Sequence, residues 1–528
     1  MGQRRRQITV RTGAAVSPAG GEETVTHTDE LQLRTRAEAM LNRWPAVGFV
    51  MGVVRNGSLE LSYAHGVADV ESRTPVTTDT VFRVASITKT FTAVAVMQLW
   101  EKGLVDLDSP AADYLRAYKL APADARHRPA TLRQLLTHTA GIGEEVPHTA
   151  MLRPDFGESV EAGSTVPTLA EHYRGELRLD TEPGTRFRYT DHGPATLGQI
   201  VEDVSGEPFD RYLRDHVFDP LGMTDTTLVT SEVPRARLAT GHTLGSHGAT
   251  AVPDREWITA GGSGAYSTPA DMARYVSALL GRGSNEHGSI LRPETVAEMF
   301  AAQYQADPRL PGIGLAFFRA DVGGHPVVEH QGILPGFDSQ ITLAPDDGVG
   351  VIAFANGTRL GALWIPTETG RLLHSLLGVP EDAIRPDVPQ RPETWGDICG
   401  WYHLPGPVSD LRARLMVGAG VEVFVRRGRL FLRSLMPVPM LYEGFPLHPD
   451  DPDDPYSFRI DLSEFGLGSI RVVFSRGADT STTAVHLDQM PLSAQKRPAT
   501  TNPRVGVERA GALAMTAVLA RRLRGTRR

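Results

Sequence analysis

Between residues 81 and 103 the chain reads VFRVASITKTFTAVAVMQLWEKG. Phe91, Ala93, Val94, Ala95, Val96, Met97, Leu99 and Trp100 leave no wide polar stripe, the pattern of a helix enclosed by protein. Upstream, DELQLRTRAEAMLNRW predicts an amphipathic helix, and two β-rich runs flank Asn56-Gly57, a strong hairpin signal. From about 109 to 260 the pattern is mostly helix and loop. Short β runs return in GIGLAFFRA, PVVEHQG, FDSQITLA and GVGVIAFAN between 312 and 356, followed by a closing helix in ALWIPTETGRLLHSLLG. A proline-rich stretch then leads into RARLMVG, GVEVFVRRGRLFLRSL, YSFRIDL and GSIRVVFSRG. These alternate apolar and polar residues in the manner of an antiparallel barrel or sandwich.

The expected fold class is therefore α/β of the α+β type: an antiparallel sheet flanked by helices with a helical insertion, followed by a small C-terminal antiparallel β-barrel domain. The expected organisation is a disordered tail over 1–28, an α/β domain over 29–378, and a linker over 379–395. A barrel-like domain over 396–497 and a basic tail with a short helix over 498–528 complete it.

Composition narrows the function. A chain of 528 residues with 41% hydrophobic and 22% charged residues is ordinary for a soluble globular protein. Nine arginines lie at the two ends, leaving 45 basic against 62 acidic residues between them, so the body is acidic and argues against a nucleic-acid groove. The apolar run in 510–525 is too short to span a bilayer. It is expected to pack on the body, with contact to a membrane surface as the alternative. One cysteine, Cys399, and an N-terminus without an apolar signal core lead to a cytoplasmic expectation. The acidic loop DDPDDP is read as solvated rather than calcium-binding. The absence of His-Glu-x-x-His or a cysteine pair gives no expected metal or cofactor.

Ser86 and Lys89 open the enclosed helix one turn apart, where residues i and i+3 are neighbours, so the hydroxyl and the amine can meet. Only four of the 54 basic residues are lysines. An amine, unlike a guanidinium, can be desolvated into a base, so a lysine at an enclosed position suggests chemistry. The alternative is a helix-capping serine and a lysine that snorkels to water.

Two later stretches bear on that choice: FRYTDHG, with Tyr189 and Asp191, and VVEHQGILPGF, with His330 and Gly332. In this order the three segments resemble the serine β-lactamase and penicillin-binding protein superfamily, and within it the class C β-lactamase-related group of esterases, D-amino-acid peptidases and lactamases. LRQLLTHTAGI, PGTRFRYTDHG, VFDPLGMTDTTL and GGSGAYSTPADMARY are similar to that group's blocks, and the resemblance covers about residues 30 to 378. It implies Ser86 as nucleophile, Lys89 and Tyr189 as the base pair, and an oxyanion hole from the backbone N–H groups of Ser86 and Ile333. It also implies a small ester or amide substrate, with Asp191, His330 and Gly332 at the binding side.

Two positions depart from the group's lactamases. His330-Gln331-Gly332 stands where they have lysine-threonine-glycine, and Asp191 where asparagine is usual. The first loses a fixed cation, and the second replaces a donor amide by a carboxylate expected to hold Lys89 charged. Both point away from penicillin-like substrates and towards an ester or small amide. They also leave open a D-amino-acid peptidase, a lactamase, or a binding protein that keeps the fold without catalysis. His138 and His192 are read as structural.

Overall fold

A computed structural model describes residues 27–143, 157–404, 419–436, 439–477, 481–489 and 491–504. The expected tail before residue 27, the expected strand at 412–418 and the expected helix at 510–525 lie outside these residues.

The first helix, α1 (His27–Arg43), buries Leu33, Ala37, Met40 and Leu41, the i, i+4, i+7, i+8 spacing of one helix face. Strands β1 (Gly48–Arg55) and β2 (Ser58–Gly66) form the expected hairpin, and Asn56 and Gly57 both take the positive φ that the tight turn requires. Four strands from much later in the chain complete the sheet: β3 (Phe318–Val322), β4 (His325–Leu334), β5 (Phe337–Ala344) and β6 (Val349–Ala355). The order is β3-β4-β5-β6-β1-β2, antiparallel throughout, with Phe49 opposite Ala355 where the two halves join.

Both faces of the sheet are covered, which is why β1 and β6 read as continuous apolar runs. On one face lie α1 and α5 (Gly361–Leu377), with Trp364, Ile365, Leu372 and Leu373 packed against Phe49, Met51 and Val351. On the other lie α2 (Thr88–Glu101), α3 (His192–Ser205) and α4 (Pro269–Leu280), which share the larger core. Helix α2 is enclosed as its sequence implies. Every residue from Thr88 to Leu99 is buried, and Phe91 meets the rings of Phe218 and Tyr275 edge-on at 5.1 and 4.6 Å.

Two expectations need correction. The stretch from 81 to 103 is not one helix. Phe82–Arg83 pairs as a short strand with Tyr266–Ser267, and Ala85–Ile87 forms a 3₁₀ turn before α2 begins. Ala85 sits at φ 51°, which a continuous helix does not allow. Likewise only Phe318 onward of the apolar run 312–320 joins the sheet, because Gly312 and Ala316 take positive φ and turn the chain.

Beyond residue 396 nine short strands among the described residues form a second antiparallel sheet. They are β7 (Gly400–His403), β8 (Val421–Arg426), β9 (Arg429–Ser434), β10 (Phe445–Pro446), β11 (His448–Pro449), β12 (Ser457–Asp461), β13 (Ser469–Arg476), β14 (Thr482–Leu487) and β15 (Ser493–Arg497). The order β10-β9-β8-β7-β15-β14-β13-β12-β11 has as its two edges strands that are neighbours in sequence, separated by buried Leu447, so the sheet is a nearly closed barrel. Its interior is filled by Tyr402, Leu430, Tyr456, Phe458, Val472 and Phe474 among others.

Candidate active site

The turn that carries Ser86 is held from three directions. Ala85 is left-handed, Thr88 Oγ1 donates to Ala85 O at 2.6 Å, and the Val84 N–H donates to Ala265 O at 3.0 Å. From the sheet, Ser339 Oγ on β5 donates to Val84 O at 2.9 Å. Gly332 on β4 packs so closely that a Cβ there would fall 2.2 Å from Val84 O. Only glycine permits that approach of strand to turn. The nucleophile candidate is thus fixed at the junction of sheet and helix, and Ser86 is 8% exposed.

Lys89 is the centre of the polar contacts. Its side chain is fully buried, and Nζ donates to Ser86 Oγ at 2.8 Å, to Gly262 O at 2.8 Å and to Asp191 Oδ1. Burial opposes the charge, but the Asp191 carboxylate and the Tyr189 phenol outweigh it and raise the amine above its ordinary value. Asp191 comes from the residue before α3, and Gly262 from the turn Ala260–Ser263. Glycine suits this close approach as well, since a Cβ at Gly262 would meet Asp191 at about 3 Å.

Tyr189 reaches the same place from the loop before α3. Lys89 Nζ lies 4.9 Å from its ring centroid. The ring of His138 lies 4.5 Å from it and the stacked ring of Phe318 6.3 Å from it. His138 also accepts from the Thr190 N–H at 3.4 Å, while buried His192 meets Tyr173 OH at 3.0 Å, so both histidines serve the architecture.

His330 faces the site from β4. Nδ1 lies 2.7 Å from Gln331 O, which makes it the protonated nitrogen and leaves Nε2 as an acceptor without a hydrogen-bond partner among the described residues. Burial first, and then the charge on Lys89, lower its pKa to about 3, so the ring is neutral. Pairing of β4 with β3 ends at Glu329 opposite Phe318, so the segment from His330 to Leu334 runs past the end of its neighbour. Ile333, 49% exposed, lies on that projecting edge.

The structure thus gathers Ser86, Lys89, Tyr189, Asp191, His330 and Gly332, with Ile333 at the rim. Sequence reasoning missed the Gly262 carbonyl, the Ser339 hydroxyl and the Phe318 ring. The glycine run at 261–264 was a signal for the first; the other two had none. Among the described residues no group of three or more His, Cys, Asp or Glu is placed to hold a metal ion, and no helix is long and apolar enough to cross a membrane. In the acidic loop Asp450 pairs with Arg459 and Arg471, and Asp454 with Arg309, so these carboxylates are ion-paired rather than merely solvated.

An antiparallel sheet flanked by helices, with a serine and a lysine hydrogen-bonded at the start of a buried helix, defines the class of penicillin-recognising and related serine hydrolases. The chain belongs to the Beta-lactamase family, whose model matches residues 36–372. It is 29% identical over 391 residues to Penicillin-binding protein 4 of Amycolatopsis lactamdurans, covering 72% of this chain and 98% of that protein. It is 28% identical over 359 residues to Esterase EstB of Burkholderia gladioli, covering 61% and 88%. The octameric penicillin-binding protein homologue from Pyrococcus abyssi shares the fold, with a TM-score of 0.57 and 23% identity over 89% of this chain and 100% of that one.

Proposed function

We propose that this protein is a serine hydrolase that works through an acyl-enzyme on an ester or small amide. The observation that carries the reading is the Lys89 ammonium, held charged by the Asp191 carboxylate and donating to Ser86 Oγ, Asp191 and Gly262 O. An amine so bound has no lone pair to offer. It donates to the serine oxygen and stabilises negative charge there, and the proton acceptor is Tyr189.

Ser86 Oγ attacks the carbonyl carbon, its proton passes to the side-chain oxygen of Tyr189, and the carbonyl oxygen takes the negative charge. The N–H groups of Ser86 and Ile333 stabilise that oxyanion. Collapse expels the alcohol or amine, which leaves with the proton from Tyr189. Water then repeats the sequence on the acyl-serine. His330, neutral with Nε2 open, accepts a hydrogen bond from substrate and supplies no cation for a substrate carboxylate. That difference supports simple esters over penicillin-like acids, as does the likeness to an esterase. The substrate is a small molecule reached in the cytoplasm, with no metal or cofactor in the chemistry.

A fluorophosphonate probe followed by intact-mass measurement tests the proposal. The wild type is expected to gain one adduct on Ser86 and the Ser86→Ala variant none; a wild type that gains no adduct overturns the reading in favour of a binding protein. Panels of p-nitrophenyl esters, D-aminoacyl anilides and a chromogenic cephalosporin then rank the substrates.

A further inference from the structure

Phe318, which stacks on Tyr189 and lies 5.6 Å from the His330 ring, enters the site from a loop whose tip is held by the C-terminal barrel. The loop closes at its base, where Gln303 and Tyr304 pair with Ile313 and the Arg319 N–H donates to Gly312 O at 3.0 Å. At the tip, Arg309 grips Asp307 with two hydrogen bonds at 2.8 and 2.9 Å. The same guanidinium crosses to the barrel, donating to Asp454 Oδ2 at 2.7 Å and to Phe474 O at 2.9 Å. The barrel answers from β13 and β14: Ser475 Oγ donates to Asp307 Oδ2 at 2.6 Å and lies 2.7 Å from His486 Nε2. Asp307 is 5% exposed and Leu310 3%, and Arg309 between them is half-buried against the barrel.

We propose that Arg309 is a positioning residue of the active site: by fixing the loop tip to the barrel it sets the place of Phe318, and through Phe318 the ring of Tyr189. The inference rests on Tyr189 being the proton acceptor of Ser86. Phe318, at the end of the segment 303–319, lies against both the Tyr189 ring and the His330 ring. Phe318 stacks on Tyr189, and Phe187 meets Phe318 at 6.1 Å while also meeting His138. A guanidinium that bonds a carboxylate on each side of a joint in a planar fork fixes distance and angle together, which a lysine cannot do. A base displaced by a fraction of an ångström loses rate and not substrate affinity.

The test uses the full chain and p-nitrophenyl acetate. Arg309→Ala is expected to lower kcat about tenfold with KM changed less than about twofold, and Phe318→Ala to do the same. Because Arg309 acts through Phe318, the double variant is expected to lose no more than Phe318→Ala alone. Asp454→Asn, which leaves the Arg309–Asp307 pair in place, gives the same reading should Arg309→Ala fail to fold. Losses that multiply in the double variant, or wild-type kcat in both Arg309→Ala and Asp454→Asn, overturn the inference. Absence of fluorophosphonate labelling in the wild type overturns the underlying hydrolase reading instead, so the two failures are distinguishable.

Discussion

Lys89 donates to Ser86 Oγ, Asp191 and Gly262 O, and those contacts organise the chemistry of the site. A buried ammonium without a counter-ion is costly, so the Asp191 carboxylate is what makes the charged lysine tenable. Asparagine at 191 would remove the charge and leave the hydrogen-bond geometry, and burial would then dominate and lower the amine's pKa. Activity that needs the ammonium is lost as pH rises through that pKa. The Asp191→Asn variant is therefore expected to move the alkaline limb of its kcat/KM profile to lower pH. It is also expected to lose about 3 kcal/mol of stability near neutrality, where the wild-type pair is fully formed. A pH-rate profile with a chemical denaturation curve checks both. An alkaline limb that stays in place would show that the lysine is not the titrating group.

Strand β4 carries two titratable neighbours with opposite fates, because successive side chains point to opposite faces. His330 is turned to the site and kept neutral. Glu329, partly buried on the other side, accepts from Gln340 Nε2 at 2.9 Å and is pushed up to about 7, by burial and, in the same direction, by the carboxylate of Asp488 on the barrel side. A carboxyl with a raised pKa contributes fully below the ordinary carboxylate range, and that contribution is lost as pH rises from about 4.5 towards 7. Glu329→Gln removes the titration at nearly constant volume. It is expected to melt several degrees above the wild type at pH 8 and level with it at pH 4.5; a lower melting temperature at pH 8 would contradict this account. The same strand shows what could be read beforehand. The Ser86–Lys89 contact was legible because it is local, three residues apart near a helix start, and Asn56-Gly57 announced its hairpin by conformational demand. Gly332 was legible as a motif, but its reason is tertiary, a strand pressed against the Val84 carbonyl. Gly262 O had only the glycine-rich stretch 261–264 to announce it, since a carbonyl carries no side-chain signal, and Phe318 was not legible, since the ring stands at the end of a loop that the pattern made a strand.

At the scale of the whole molecule the hydrolase region and the barrel have separate apolar cores, so what joins them is chiefly polar. Among the described residues the linking contacts include Arg371 Nη1 to Gly466 O at 3.0 Å, Arg43 to Glu464 O, the side chain of Leu467 against the core around Trp364, and above all the joint of Asp307 and Arg309 with Asp454 and Ser475. Burial works against the Asp307 charge, but the hydrogen bonds from Arg309 and Ser475 prevail and hold the carboxyl well below the usual range. For a carboxyl with a depressed pKa the contribution to stability is complete above its unfolded value of about 3.9 and disappears as pH falls below it. Asp307→Asn is therefore expected to be less stable than the wild type by about 2 kcal/mol at pH 7, the cost of weakening charge-assisted hydrogen bonds at a half-buried joint where Arg309 still keeps Asp454. The gap should narrow as the medium is acidified below about pH 4, because the wild type then takes up the proton that the variant never needed. Calorimetric melting of both proteins from pH 7 to pH 3 measures it. A gap that is constant across that range would mean that Asp307 contributes shape and not charge.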